Sequence, residues 1–314
     1  MEGLSLSAGT AELYVRNPGY MAEAQALGRA ARVLTRLLPS SVEEITIVPV
    51  TVGMPLARFT FSRTDLETLA VAPDGTERSL VQAKVTDSAT RAPAEDLGDG
   101  LYPHVSWSIS PFTRISFFDP NNPVRGDAGV ELAGGLTLAP GLSLNGAVRK
   151  TVIGNLDDST RKSNSELPHV RSDFVEYDSQ GDPNIEVLTA AYHARLAGPV
   201  YGRLTAGYLE RMYAGVSSEL LWAPYDSRAA VGIELNYVQQ RDFEGGFGLQ
   251  DYNVATGHAS LYYRVTDDYL VQVDAGQYLA GDVGGTLSVS RTFANGWSVG
   301  AFATITDVPA DEFG

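Results

Sequence analysis

In the stretch AAVGIELNYV, residues 229–238, apolar and polar side chains take turns along the chain. Ala229, Val231, Ile233, Leu235 and Tyr237 share one parity; Ala230, Gly232, Glu234, Asn236 and Val238 share the other. Successive side chains of a strand point to opposite faces, so this is a strand with one apolar and one mostly polar side. About eleven such segments of roughly ten residues run from Val105 to Thr306. They lie near 104–117, 127–138, 142–153, 184–196, 200–211, 216–223, 228–239, 255–264, 269–277, 282–291 and 297–306. A period of two sustained this long demands an antiparallel sheet, and its apolar face needs a cover, either a protein core or lipid.

Three features favour lipid. Segments of about ten residues, tilted by ~40°, span a ~25 Å apolar band, whereas ordinary strands average five or six residues. Aromatic residues stand at the segment ends: Trp222, Tyr263, Tyr269 and Trp297 beside tight turns, Tyr208 and Tyr237 towards the opposite end. Amphipathic rings favour the headgroup level, so these six are candidate membrane-interface residues. The other parity is polar and often small, as in Ser143, Asn145 and Arg149, or Thr256, His258, Ser260 and Arg264. Such a face can line a wet lumen. The connections are asymmetric as well. "APG" (139–141), "AGP" (197–199), "PYDS" (224–227), "TDD" (266–268) and "FANG" (293–296) are tight. The loops at 154–183 and 240–254 are long. Short turns inside and long loops outside mark an up-and-down outer-membrane barrel. The alternative is a soluble all-β carbohydrate-binding or carbohydrate-cleaving protein, with the alternating faces forming a sandwich.

Residues 1–70 have another rhythm and predict a small α/β domain of β-α-β-β-α order. "TAELYV" (10–15) reads as a strand, and Asn17 with Pro18 offers a helix start. Apolar residues then recur at helical spacing from Met21 to Leu38. "EEITIVPVTVG" (43–53) and "PLARFTFSR" (55–63) read as strands, and "TDLETLA" (64–70) as a short helix capped by Thr64. Residues 71–103, which include "APAEDLGDGLYP", read as a linker with one weak element around "SLVQAKV".

Composition narrows the function. A formal net charge of −15 makes nucleic acid an unsuitable partner. The chain has no cysteine, which rules out disulfides and thiolate metal sites. No apolar run is long enough for a transmembrane helix, and "MEGLSLSAGTAELYVRNPGY" has no signal-peptide pattern. The histidines, His104, His169, His193 and His258, are scattered without metal-ligand spacing. No catalytic, phosphate-binding or dinucleotide motif is present, so no enzyme, cofactor or metal is expected. Asp157 and Asp158 read as part of a solvated outer loop. The polar parity carries Glu131, Arg149, Arg195, Arg203, Arg211, Glu234, His258, Arg264 and Asp274 as candidate lumen-lining residues. Two roles fit them: pairing across the interior to rigidify it, or presenting arginine forks and acidic acceptors to a glycan.

Several long stretches resemble the YjbH family of Gram-negative outer-membrane proteins associated with exopolysaccharide or capsule production. They are "SWSISPFTRISFFDPNNPVR" (106–125), "GRLTAGYLERMYAGVSSELLW" (202–222), "NYVQQRDFEGGFGLQDYNVATGH" (236–258) and "LAGDVGGTLSVSRTFANGWSVGAFATITDV" (279–308), with "RNPGY" and "QALGRAARVL" near the start. The resemblance implies an outer-membrane barrel with an adjoining periplasmic α/β domain. It implies as partners outer-membrane lipid, exopolysaccharide and other envelope polysaccharide-export proteins, and it brings no catalytic residues. The chain has no lipoprotein-type cysteine, and a polar tail, "DVPADEFG", follows an odd number of strands. The expectation is a fragment: a mostly β chain with an incomplete barrel of about eleven strands at 104–314, C-terminally truncated, after the domain at 1–70 and the linker at 71–103.

Overall fold

The computed structural model describes residues 1–314 except 18, 21–22, 73–74, 88–96, 99, 120, 294, 310–311 and 313–314. The N-terminal module comprises β1 (Gly3–Leu6), β2 (Thr10–Val15), α1 (Glu23–Leu37), β3 (Glu44–Thr51), β4 (Met54–Pro55), β5 (Ala57–Ser62), α2 (Arg63–Leu69), α3 (Gly75–Gln82) and β6 (Lys84–Asp87). Its sheet runs β1-β2-β3-β5-β6, with β4 also paired to β3. β2 and β3 are parallel and α1 crosses between them. The helical spacing of Leu27, Ala31 and Leu34 buries one stripe of α1 against Ile45, Ile47 and Phe61. Central strand β3 is buried on both faces, and its Val48 and Val50 form a second cluster with Tyr14.

The module is larger than the sequence predicts. β6 pairs with β5, and α3 precedes it, so sheet and helix occupy much of the segment expected to be linker. Past the undescribed residues 88–96, Leu97 bridges back to Gly3. Two caps also differ. Ser62, not Thr64, caps α2, its hydroxyl accepting from the Asp65 amide. Asn17 closes a local turn on Tyr20 and donates to Glu23 at 2.9 Å instead of starting the helix. Pro18 and Met21, expected at that helix start, lie outside the described residues.

Eleven strands follow: β7 (His104–Phe117), β8 (Val124–Ala139), β9 (Leu142–Gly154), β10 (Asn184–Ala197), β11 (Val200–Tyr208), β12 (Tyr213–Trp222), β13 (Ala229–Arg241), β14 (Leu249–Arg264), β15 (Tyr269–Gln277), β16 (Val283–Thr292) and β17 (Ser298–Thr306). Each pairs antiparallel with the next, a continuous meander whose ends are β7 and β17. Among the described residues β7 and β17 do not pair with each other, so the sheet is open. The long loop at 155–183 contains a short helix, α4 (Phe174–Gln180). β14 begins six residues earlier than its alternation suggests, so the loop expected at 240–254 shrinks to 242–248.

Parity places the apolar side chains as expected, and among the described residues no layer covers them. Trp222, Val231, Leu261, Val273 and Leu287 are cross-strand neighbours on five successive strands, and all are exposed. Ile233 and Leu235, at the middle of β13, are 53% and 60% exposed. Soluble monomers rarely expose contiguous apolar patches beyond a few hundred Å². A sandwich would have buried this face under a second sheet.

The module sits at the tight-turn end of the sheet. A side chain at Gly53 (φ 74°) would collide with the backbone of Pro140 and Gly141 in the β8–β9 turn. One at Gly141 (φ 83°) would strike the His193 carbonyl at 2.1 Å. Gly53 thus lets the module approach the turn, and Gly141 lets the turn approach β10.

Within the module, Arg63 satisfies the carbonyls that α1 leaves free at its C-terminus. Its guanidinium donates to the Thr35 and Pro39 oxygens, both at 2.6 Å, and pairs with Glu67 at 2.8 Å. Arg63→Met should therefore weaken the module by about 2 kcal/mol, read as roughly thirty-fold faster hydrogen exchange in α1. Exposed Arg36→Met should leave exchange unchanged. Equal effects would contradict this role for Arg63.

Candidate functional site

The polar face of the meander carries two ion-pair groups built from strand register. Glu131 and Arg149 stand directly opposite on β8 and β9 and bond at 2.7 Å. Arg149 also reaches Glu186 on β10 at 3.2 Å and lies over the Phe112 ring. The second group is a row across β10–β14, in which His193, Arg203, Glu219, Glu234 and His258 are successive cross-strand partners. Arg203 pairs with Glu219 at 3.1 Å and Glu234 at 3.3 Å. Asn236 donates to Glu234 at 2.8 Å and to Thr256 at 3.1 Å. Further along, Asp274 accepts from Ser260 at 2.6 Å and from Gln272. These groups remain partly solvated, so the pairs stabilise modestly while keeping the face polar.

Three of the candidate arginines lie outside these two ion-pair groups. Arg211 is not on a strand: β11 ends at Tyr208, and Arg211 reaches α4, pairing with Asp178 and donating to the Tyr177 carbonyl, both at 2.5 Å. Arg195, with its side chain only 3% exposed, turns to the module, donating to the Pro55 and Leu56 carbonyls and pairing with Asp87. It keeps its ladder place opposite Tyr201, with the bulge falling at Leu196 just beyond it. Arg264 is exposed at the tight-turn end of β14, outside either ion-pair group.

The expected interface aromatics hold their ends of the sheet. Trp222, Tyr263, Tyr269 and Trp297 are exposed beside tight turns, and Tyr192, not singled out by sequence, joins them. Tyr237 is exposed near the other end. Tyr208 is only half-buried, because Phe247 packs on it, its hydroxyl donates to the Phe247 carbonyl, and Arg241 stacks over its ring.

The long-loop end is locked by residues that sequence reasoning missed. Asp178 of α4 is shared by Arg114 of β7 at 2.7 Å and Arg211, while Arg114 also pairs with Asp127 at 3.0 Å. One carboxylate thus ties the β7–β8 edge to the β11–β12 connection. Fully buried Arg241 donates to four carbonyls, those of Ile185, Glu210, Gly245 and Gly246. Tyr177 donates to its carbonyl at 2.6 Å. The same loop reaches across to the far edge, where the Glu166 amide donates to the Glu312 carbonyl beyond β17. "SDFVEYDSQG" (172–181) carried a usable signal: an aspartate before and a glycine after one short helical stretch.

Asp119, in the β7–β8 loop, closes the outer rim. Its carboxylate accepts from Ser159, from the Asn121 and Asn122 amides and from Arg125. Chiefly the Ser159 hydrogen bond, with the two amides and Arg125, holds its pKa down to about 2, against the opposing effect of burial. A lowered folded pKa contributes stability above the unfolded value, ~4, that is lost as pH falls through the folded one. Pepsin should therefore spare the adjacent Phe117–Phe118 bond at about pH 4 and cut it below about pH 2. Asp119→Asn should be cut similarly at both, relative to an unfolded control. Unchanged pH dependence in the variant would contradict the assignment.

The YjbH family model, described as "Exopolysaccharide biosynthesis protein YbjH", matches residues 1–314. The chain is similar to "Uncharacterized lipoprotein YjbH" of Escherichia coli (strain K12), 34% identical over 301 residues that cover 91% of this chain and 42% of that protein. It therefore spans less than half the length of this curated relative. No solved structure matches the chain. The chain belongs to the YjbH family of exopolysaccharide biosynthesis proteins.

Proposed function

We propose that the eleven strands are wall strands of an outer-membrane β-barrel that assists assembly or export of an exopolysaccharide without catalysing a reaction. The observation that carries this reading is the contiguous exposed apolar face, rimmed by Trp222, Tyr263, Tyr269 and Trp297 at one end. Lipid is the solvent that makes such a face stable, because the strands between the two edges make their ladder hydrogen bonds within the sheet. β7 and β17 present open edges, and in hydrocarbon each unpaired backbone group costs several kcal/mol. Further strands, from the same polypeptide or a partner, would close the wall to the even number usual for bacterial barrels.

In this arrangement the module at the tight-turn end is periplasmic and the long-loop end faces outward. The lipoprotein description of the Escherichia coli relative supports an envelope location. The polar face then offers a glycan arginine forks and carboxylates that are already preorganised by pairing. Outer-membrane lipid, exopolysaccharide and other envelope polysaccharide-export proteins are the proposed partners. The soluble sandwich reading is disfavoured by the absence, among the described residues, of any layer over the apolar face.

Ile233 and Glu234 separate the two faces within one strand. Ile233→Arg should lower stability by ~2–4 kcal/mol in a refolding titration with lipid vesicles, the cost of a cation near the bilayer midplane. Glu234→Gln should cost under about 1 kcal/mol, since Arg203 keeps Glu219. Equal losses at the two positions would overturn the assignment of faces.

A further inference from the structure

A cavity of about 1090 Å³ lies between the polar face of β12–β14, the edge strand β17 and the loops that cross above them. Its walls combine Tyr213 and Tyr278, His258, Glu234, Asp282 and Arg171. The volume is at the upper end of ordinary ligand pockets and exceeds what a single sugar ring needs.

Three of these groups carry unused hydrogen-bonding capacity. Tyr213 is 1% exposed, and its hydroxyl has no partner among the described residues. The His258 Nε2 likewise has none. Asp282 is buried, yet its carboxylate takes no hydrogen bond from the described residues, whereas most buried polar groups are paired. An unpaired buried group costs about 1–3 kcal/mol, so the Tyr213 hydroxyl and His258 Nε2, beside the open Asp282 carboxylate, favour a ligand dense in donors and acceptors. The half-buried Tyr278 ring beside them suits the polarised C–H face of a pyranose, while Arg171 lies over the Tyr213 ring.

The charges narrow the ligand further. Arg171 is neutralised by Glu210 at 2.7 Å, whereas Arg203 is shared by Glu219 and Glu234, which leaves that trio one net negative charge. Asp282 adds a second negative charge at the wall, without an ion-pair partner among the described residues. A carboxylate-bearing sugar entering here would meet like charge, while a hydroxyl or a protonated amine would meet an acceptor.

We infer that this cavity is a saccharide subsite that takes non-acidic sugars, binds amine-bearing ones most tightly and excludes uronates. This rests on the exopolysaccharide reading above. The test uses the intact protein in detergent micelles, titrated calorimetrically with glucosamine, cellulose-type and galacturonate tetrasaccharides, at a pH where the amines are protonated. Glucosamine oligomers should bind tightest, and galacturonate at least about tenfold more weakly than the neutral oligomer. Asp282→Asn should reduce the preference for the amine-bearing oligomer over the neutral one by at least about threefold, and an unchanged preference would overturn the role of Asp282.

Galacturonate binding as well as the neutral oligomer would overturn the charge selectivity, and binding of none of the three would overturn the subsite. A parallel measurement keeps the broader reading separate. Deleting the gene should reduce exopolysaccharide released by cells. Unchanged release would sink that reading whatever the titrations show, and reduced release without oligosaccharide binding would sink only the subsite.

Discussion

Antiparallel backbone hydrogen bonding is the constraint on which the rest of this molecule depends. Each of the eleven strands uses its amides and carbonyls on its immediate sequence neighbours, so the ladder fixes register and register fixes parity. A slip of one residue would carry Ile233 and Leu235 to the polar face and Glu234 to the apolar one. The pairing Glu219–Glu234–His258 on one side and Leu220–Ile233–Ala259 on the other shows how firmly parity is held. The like-charged Glu219 and Glu234 can stand directly opposite because Arg203 binds both.

The two ends of the sheet are finished differently. At the tight-turn end, Arg195 and the glycine contact between Gly53 and Gly141 fasten the module. A guanidinium serves well there, since it can hold two carbonyls and a carboxylate at once. At the other end, buried charges are compensated by sharing: Asp178 by two arginines, Arg241 by four carbonyls. Breaking one partner would leave a buried charge unpaired, so this rim is stiff despite being made of loop. The stiff rim shapes the cavity beneath it, linking the loop architecture to the proposed glycan role.

Much of the strand plan was legible because period two is strong where one face is apolar. β7 and β15 coincide with the segments read from alternation, 104–117 and 269–277. β14 was read short because "LQDYNV", ahead of its apolar part, is polar on much of both parities and extends past the apolar band. β1 and β6 have four residues each, too few to show a period, and their pairing comes from the rest of the module. Arg195 and Arg211 find partners that alternation does not show. Alternation gives a face but not a reach: Arg195 keeps its ladder place opposite Tyr201 and extends to the module, and Arg211 lies beyond its strand's end. The partners that capture them, Asp87 and Asp178, are distant in sequence and carry no local signal.

The claim that the apolar parity meets lipid can be measured directly, because the chain has no cysteine to interfere with labelling. Single cysteines placed in turn at 229–241 of the intact protein in bilayers, each carrying a nitroxide, report accessibility to oxygen and to a water-soluble nickel complex. Labels at 231, 233, 235 and 237 should favour oxygen, and those at 232, 234 and 236 should favour nickel, alternating with a period of two. Nickel accessibility on the apolar parity, or no alternation along the strand, would contradict the membrane reading.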